Sequence, residues 1–321
     1  MHLFVTGGTG FFGKALLRYW QMNPEVIKAY KKITLLSRNP DQFLSKHSEL
    51  LHGLNVNLHK GDIMLPHTLP SDSSISHVIH AATDSTIGPQ LEPLDRYQQI
   101  VIGTQNLLDF SVHNKVKKIL LTSSGGVYGP QPQDMLEIPE TYCGMPDPLD
   151  ANAAYSVGKR AAEHLCALYA DKHQIEVVVA RCFAFVGQDL PLDVHFAIGN
   201  FIRDALNAKE IVVGGDGTPV RSYLHQDDLA HWLMVMLEKG QSGKAYNVGS
   251  DESISIADLA KLIRDLIAPA KEVKIKGEID LNNKKNRYVP NLDVVKQTLG
   301  LRVSIPLQLA IAKTVPDLGL N

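Results

Sequence analysis

Cysteine is scarce in this 321-residue chain: Cys143, Cys166 and Cys182 are the three, with no Cys-x-x-Cys pair and no cysteine–histidine spacing of a metal site. That pattern excludes a disulfide scaffold and implies no structural metal, and an odd number of cysteines suits a reducing compartment. An excess of one charge is also missing. The formal net charge is −2, from 32 Lys plus Arg against 34 Asp plus Glu, without a long basic run. Neither nucleic acid nor an anionic membrane surface is therefore an expected partner. No apolar run reaches the roughly 18 residues of a membrane span. The first apolar strand begins at residue 3, so no signal peptide is expected. A cytoplasmic protein is expected. Internal repeats and low-complexity tracts are absent too.

What is present is ample material for one large α/β core or two closely joined lobes, with 44% hydrophobic and 21% charged residues. Apolar runs at Leu3–Thr6, Ile33–Leu36, Val56–Leu58, His77–His80, Lys118–Thr122 and Glu176–Ala180 alternate with amphipathic helical patterns. Such alternation predicts a doubly wound parallel sheet with buried strands. The clearest helices run from Leu91 to Val112 and from Ala151 to Ala170. From about Val186 onward, Pro191, Gly199, the glycine block at 214–217 and Pro290 break the pattern into short elements, as a smaller lobe requires. We expect a dinucleotide-binding domain over 1–185, with later segments at roughly 222–250 returning to it, and a substrate lobe over most of 186–321.

Two local constellations carry chemistry. Leu3-Phe4-Val5-Thr6 runs into Gly7-Gly8-Thr9-Gly10-Phe11-Phe12-Gly13 and then a helical stretch. Strand, glycine turn and helix in that order allow close approach of the backbone to a pyrophosphate at a helix amino terminus. The second constellation is Tyr155 with Lys159, four residues apart and so on one helix face, plus Ser124 at a strand end. The Lys159 ammonium is expected beside the Tyr155 phenol, favouring its ionised form. Bringing a phenol from about 10 to about 7 takes roughly 4 kcal/mol, which an ammonium, a cofactor cation and the Ser124 hydroxyl can share.

With these pieces in order, the chain resembles the extended short-chain dehydrogenase/reductase family, the NAD(P)-dependent nucleotide-sugar epimerases, dehydratases and reductases, over nearly its whole length. Gly7, Gly10 and Gly13 match the family's glycine turn, Asp62-Ile63 its adenine-contacting pair, and His80-Ala81-Ala82 its fourth-strand motif. Ser124 through Gly129 match its Ser-x-x-Val-Tyr-Gly stretch, and Tyr155 and Lys159 complete the set. The resemblance implies a Rossmann-type α/β fold with a smaller C-terminal substrate-binding lobe. It places cofactor against Gly7, Gly10, Phe11, Phe12, Gly13, Arg38, Asp62, Ile63, Ala81, Ala82, Tyr155 and Lys159. It makes Tyr155 the acid–base, Ser124 the orienter of the sugar hydroxyl and Lys159 the activator. Gly214 through Ala230 resemble the family's nucleotide-sugar block, so Arg221, Asn200 and Arg287 are expected on the substrate diphosphate, where a planar guanidinium suits the task. Arg287 follows Lys284-Lys285, a pair expected in solvent. Asp228 is expected to fix a loop. The 91–112 and 151–170 helices are implied as a homodimer interface.

The chain also departs from the family pattern. Dehydratases and decarboxylases carry a carboxylate just after the catalytic serine or threonine, where this chain has Gly125-Gly126. Elimination then lacks its acid–base group, and the expected reaction is hydride transfer at C4 of a nucleoside-diphosphate hexose, as epimerase or 4-ketoreductase. A 4,6-dehydratase-like enzyme and a non-catalytic dinucleotide sensor are the alternatives. Cys143, Cys182 and His195 are candidates for a second acid–base pair. Ala184, Ile100 and Ser85 stand where asparagine, asparagine and lysine are common. Ser37-Arg38 ends the second strand, and a hydroxyl beside a guanidinium suits a 2′-phosphate, favouring NADP(H) over NAD.

Overall fold

The computed structural model describes residues 1–83, 90–194, 196–278 and 286–315. Ser85, His195, Lys284 and Lys285 lie outside the described residues.

The apolar runs form one sheet. Strands β1 (His2–Thr6), β2 (Lys32–Ser37), β3 (Val56–Lys60), β4 (His77–His80), β5 (Lys118–Ser124) and β6 (Glu176–Cys182) lie in the spatial order β3-β2-β1-β4-β5-β6. Each pairs in parallel with its neighbour. The segment Ala245–Val248 adds a seventh strand beside β6. Every residue of β1 and β5 is buried, as expected of parallel strands covered on both faces. Strand order reverses between β1 and β4, so the crevice at their carboxyl ends is the place for a ligand.

The helices between strands are α1 (Phe11–Met22), α2 (Pro40–His47), α3 (Pro93–His113) and α4 (Ala154–His173). Pro93 pre-sets the first turn of α3. Ahead of α4, a short turn at Ala151–Ala153 is capped by the Asp150 carboxylate, which accepts from the Asn152 N–H at 2.9 Å. The helix stops where Gln174 turns left-handed, with φ 58°. Strand β5 runs two residues past its apolar run because Ser123 and Ser124 still pair with Arg181 and Cys182, and that carries Ser124 to the carboxyl edge of the sheet.

The chain divides into two units. The first is Met1–Gly129, Pro146–Cys182 and Ala230–Tyr246; the second is Pro130–Met145, Phe183–Leu229 and Asn247–Asn321. In the second, Val220–Ser222 pairs antiparallel with Ser253–Ser255 and parallel with Arg287–Tyr288, Ile211–Val213 pairs with Val273–Ile275, and Phe185–Val186 pairs with Leu224–His225. It also holds α5 (Ala197–Asn207). The buried Asn247 amide donates to the carbonyls of Ile138 and Asn291 at 2.8 and 3.1 Å, which ties Pro130–Met145 into this unit. Among the described residues, no helix is long and apolar enough to cross a membrane.

Candidate active site

The glycine turn is held to its shape by its surroundings. Gly7 has φ 71°, and a Cβ placed on it would lie 2.4 Å from the Ala81 carbonyl oxygen, so β1 and β4 meet backbone to backbone at the strand-order reversal. A Cβ on Gly13 would lie 2.0 Å from the Gly8 oxygen, so the opening turn of α1 packs on the loop it leaves. Gly10 caps α1 without any side-chain hydrogen bond, which leaves amide donors of the first turn for an anion. A pyrophosphate fits this cradle. Phe11 and Phe12 open the helix, half-buried, with rings 5.9 Å apart.

Around the cradle, His80 joins its neighbours in one directional chain. The Thr104 hydroxyl donates to the Ile100 carbonyl at 2.7 Å, so its oxygen accepts from His80 Nε2–H at 3.2 Å. The other ring nitrogen, Nδ1, accepts from Thr6 Oγ1 at 2.7 Å, and Thr6 Oγ1 accepts from the Ala82 N–H at 3.2 Å. Burial, with the Lys159 charge second, holds His80 down to about 3, so the ring is neutral and this tautomer is the one the network requires. Ala81 and Ala82 are thereby fixed in place. On the other side of β1, Asp62 Oδ1 accepts from the Met64 N–H at 2.9 Å, and the Ile63 carbonyl accepts from Asn106 at 2.9 Å. Ser37 Oγ lies 3.2 Å from Thr9 Oγ1, and Arg38 after it is exposed.

Ser124, Tyr155 and Lys159 come together at the carboxyl ends of β5 and β6. Ser124 Oγ accepts from the Gly126 N–H at 3.1 Å and lowers the proton affinity of the Tyr155 phenol that it faces. Lys159 is buried, donating to Thr83 Oγ1 at 2.7 Å and to the Thr122 carbonyl at 2.8 Å. Its ammonium is held down to about 8 by burial, against the raising influence of Cys182 and Glu163. Beneath the site, Arg181 pairs with Glu163 at 2.7 Å and donates to the Tyr128 hydroxyl at 3.0 Å, while Ser123 donates to Glu163 at 2.5 Å. This network braces β5, β6 and α4.

Lys159 also lies over the Tyr155 ring. Its Nζ lies 6.0 Å from the Tyr155 ring centroid and is turned to the strand, because a buried ammonium must satisfy its hydrogens on nearby acceptors. Burial pushes the Tyr155 phenol above its ordinary value, outweighing the lowering by the Ser124 hydroxyl and by Arg96. Arg96, on the first turn of α3, is the residue that sequence reasoning missed: its guanidinium lies 4.4 Å above the Tyr155 ring. Cys182 is no acid–base partner near neutrality, since burial pushes its thiol up to about 12. Cys143 is exposed on Pro130–Met145 of the second unit. A Cβ on Gly126 would lie 2.6 Å from Ser156 Oγ, so a carboxylate side chain there would displace that hydroxyl.

In the second unit, Arg221 and Arg287 stand on adjacent strands. Arg221 donates to the carbonyls of Val220 and Asn286 at 2.8 and 3.1 Å and lies 6.0 Å from the Tyr288 ring centroid. Arg287 donates to the Leu136 carbonyl at 2.6 Å and to Ser253 Oγ at 3.1 Å. Asn200 sits apart from that sheet, on α5, where its amide oxygen accepts from Arg203 at 3.1 Å. Asp228 accepts from the backbone N–H groups of Ser304 and Ile305 at 3.0 and 3.1 Å and so fixes a loop.

Comparison with known proteins identifies the family. The sequence profile of the NAD dependent epimerase/dehydratase family matches residues 3–249. UDP-glucuronic acid decarboxylase 6 of Arabidopsis thaliana is 30% identical over 326 residues, covering 100% of this chain and 90% of that relative. UDP-glucuronic acid decarboxylase 1 of Danio rerio is 27% identical over 317 residues, covering 98% of this chain and 71% of its own length. Among solved structures, UDP-glucose 4-epimerase of Thermotoga maritima, bound to UDP-glucose, superposes with a TM-score of 0.81 at 23% identity, covering 98% of each chain. A dTDP-glucose 4,6-dehydratase of Streptomyces venezuelae holding NAD gives 0.83 at 22% identity, covering 98% of this chain and 96% of that one.

Proposed function

The chain belongs to the NAD dependent epimerase/dehydratase family, and from that premise we propose that it is an NAD(P)-dependent epimerase or 4-ketoreductase acting at C4 of a nucleoside-diphosphate hexose. The observation that carries the reading is the meeting of Ser124, Tyr155 and Lys159 in the same unit as the Gly7–Gly13 cradle, with glycine at 125 and 126. The dinucleotide, once bound, supplies the hydride acceptor or donor. Gly7, Gly10 and Gly13 would hold its pyrophosphate, Asp62 and Ile63 its adenine, and Ala81 and Ala82 the far side of the cradle. Ser124 orients the sugar oxygen by hydrogen bond. Tyr155 takes the proton of the C4 hydroxyl during oxidation and returns a proton to the ketone oxygen during reduction. Lys159 holds positive charge behind the phenol. Arg221, Arg287 and Asn200 serve the substrate diphosphate, and Arg38 favours NADP(H), although homologous structures hold NAD.

A second reading, decarboxylation of a nucleotide-linked uronate, is favoured by the 30% identity to a UDP-glucuronic acid decarboxylase. Against it stands the missing carboxylate after Ser124, and the same absence disfavours a 4,6-dehydratase. The dinucleotide released on denaturing the purified protein separates the leading forms. Near-stoichiometric NAD points to an epimerase that regenerates its cofactor, and an empty site that prefers NADPH points to a reductase. Turnover of UDP-glucuronic acid, UDP-glucose and dTDP-glucose, followed by mass and by proton resonance, identifies the product, and loss of carbon dioxide would establish the second reading instead. Tyr155→Phe is expected to lose at least about 100-fold in turnover while still binding dinucleotide; an active Phe variant overturns the assignment.

A further inference from the structure

Arg96 plays no part in the reading above. It stands on the first turn of α3, and its guanidinium carbon lies 4.4 Å from the Tyr155 ring centroid. Helix packing brings it there. A Cβ on Gly158 would sit 3.4 Å from both Ile100 and Tyr97, so α3 and α4 approach closely about one turn beyond the Arg96–Tyr155 stack. Among the described residues no carboxylate pairs with Arg96, and its Nε–H is buried without an acceptor. A half-buried guanidinium with such a nitrogen normally meets a carboxylate. This one meets a ring face, which attracts cations, and the ring belongs to the acid–base group.

We propose that Arg96 is a second cation, beside Lys159, that lowers the proton affinity of Tyr155, a positioning residue acting on the reacting atoms through the phenol, which rests on the reading of Tyr155 as the acid–base group. The other groups facing the phenol leave room for a second charge. Ser124, at the end of β5, faces it with a hydroxyl, without charge. Cys182, at the end of β6, stays a neutral thiol. Lys159, on the same helix as Tyr155, directs its ammonium to Thr83 and Thr122. Arg96 lays its charge closer to the ring, at 4.4 Å from the centroid against 6.0 Å for Lys159, and that charge attracts the phenolate more strongly than the phenol.

Tyrosinate absorbance of the NAD-saturated protein against pH, taken as the difference between wild type and Tyr155→Phe, isolates this phenol among ten tyrosines. Arg96→Met, introduced into both backgrounds, is expected to raise the midpoint by about one pH unit, and Arg96→Lys to recover at least about half of that shift. Arg96→Gln removes the same charge with a hydrogen-bonding side chain and is expected to shift the midpoint equally, should the methionine variant not fold. An unmoved midpoint in a folded neutral variant overturns the proposal, because loss of packing alone leaves the phenol's proton affinity in place. Turnover tells the two failures apart. An active Tyr155→Phe sinks the reading of Tyr155, whereas an inactive Tyr155→Phe with an unmoved Arg96→Met midpoint sinks this inference alone.

Discussion

The buried ammonium of Lys159 and the carbonyl of Thr122 are joined by a hydrogen bond of 2.8 Å, and Thr83 accepts a second at 2.7 Å. These two acceptors do not fully replace the lost hydration, since burial holds the ammonium down to about 8 against an ordinary value of 10.5. Between those values the unfolded chain binds more protons than the folded one, so this group makes stability rise with pH across that window. Below about 8 the full cost of the buried charge is present, about 3 kcal/mol. Lys159→Met is expected to lack this rise. Urea unfolding of wild type and variant from about pH 8 to about pH 10 measures it, and parallel stability curves would refute the burial argument.

The glycine turn and the Tyr155–Lys159 spacing are legible in sequence because turn chemistry and helix period are local properties. Strand positions follow from apolar runs for the same reason, with ends displaced by two residues where pairing continues past the apolar stretch, as at Ser123 and Ser124. What Lys159 touches is not legible, because Thr83 and Thr122 are supplied by the loop after β4 and by β5. Arg96 is hidden for a similar reason. It is one charge on a helix turn, and only the close packing at Gly158 selects the face of α3 that meets Tyr155. Pro130–Met145 carries no periodic signal that joins it to the second unit; the amide of Asn247 does that.

Glycines of one motif need not be equivalent. A Cβ on Gly13 would lie 2.0 Å from a backbone oxygen, whereas one on Gly10 would lie 3.4 Å from the Gly7 oxygen at an unremarkable φ of −84°. Gly13→Ala is therefore expected to move the loop, lowering stability and weakening NAD binding at least about tenfold. Gly10→Ala should keep wild-type stability within about 0.5 kcal/mol and lose dinucleotide affinity only if the ligand approaches that backbone closely. Thermal unfolding and NAD titration of both variants check this, and a Gly13→Ala protein as stable as wild type would contradict the packing.

The outer faces of α3 and α4 expose large apolar side chains, with Leu94, Ile102 and Leu168 at 64%, 40% and 51% exposure. Scattered apolar residues are ordinary on a monomer, but these three stand on the two helices expected to pair with a second copy. A homodimer is the expected state, and Ile102→Glu combined with Leu168→Glu should yield folded monomers by light scattering. A wild-type monomer at micromolar concentration would remove that interface from consideration.

His80 makes the acid side of the stability profile specific to one residue. Its folded value of about 3 lies below the ordinary 6.5, so between these values the unfolded chain holds more protons and stability falls as pH falls. The neutral ring is required because Nδ1 must accept from Thr6 while Nε2–H donates to Thr104. Protonation would set two donors against each other at the Thr6 hydroxyl and loosen Ala82, whose N–H depends on that oxygen. His80→Gln is expected to be less stable than wild type near neutrality, since the network loses its ring. From about pH 7 to about pH 4 it should then lose about 3 kcal/mol less than wild type does. Urea unfolding at the two pH values measures the difference. Dinucleotide affinity should follow the same trend, because the ring that charges is the one that fixes the Ala81-Ala82 wall of the cradle. An equal acid loss in both proteins would place the acid sensitivity elsewhere.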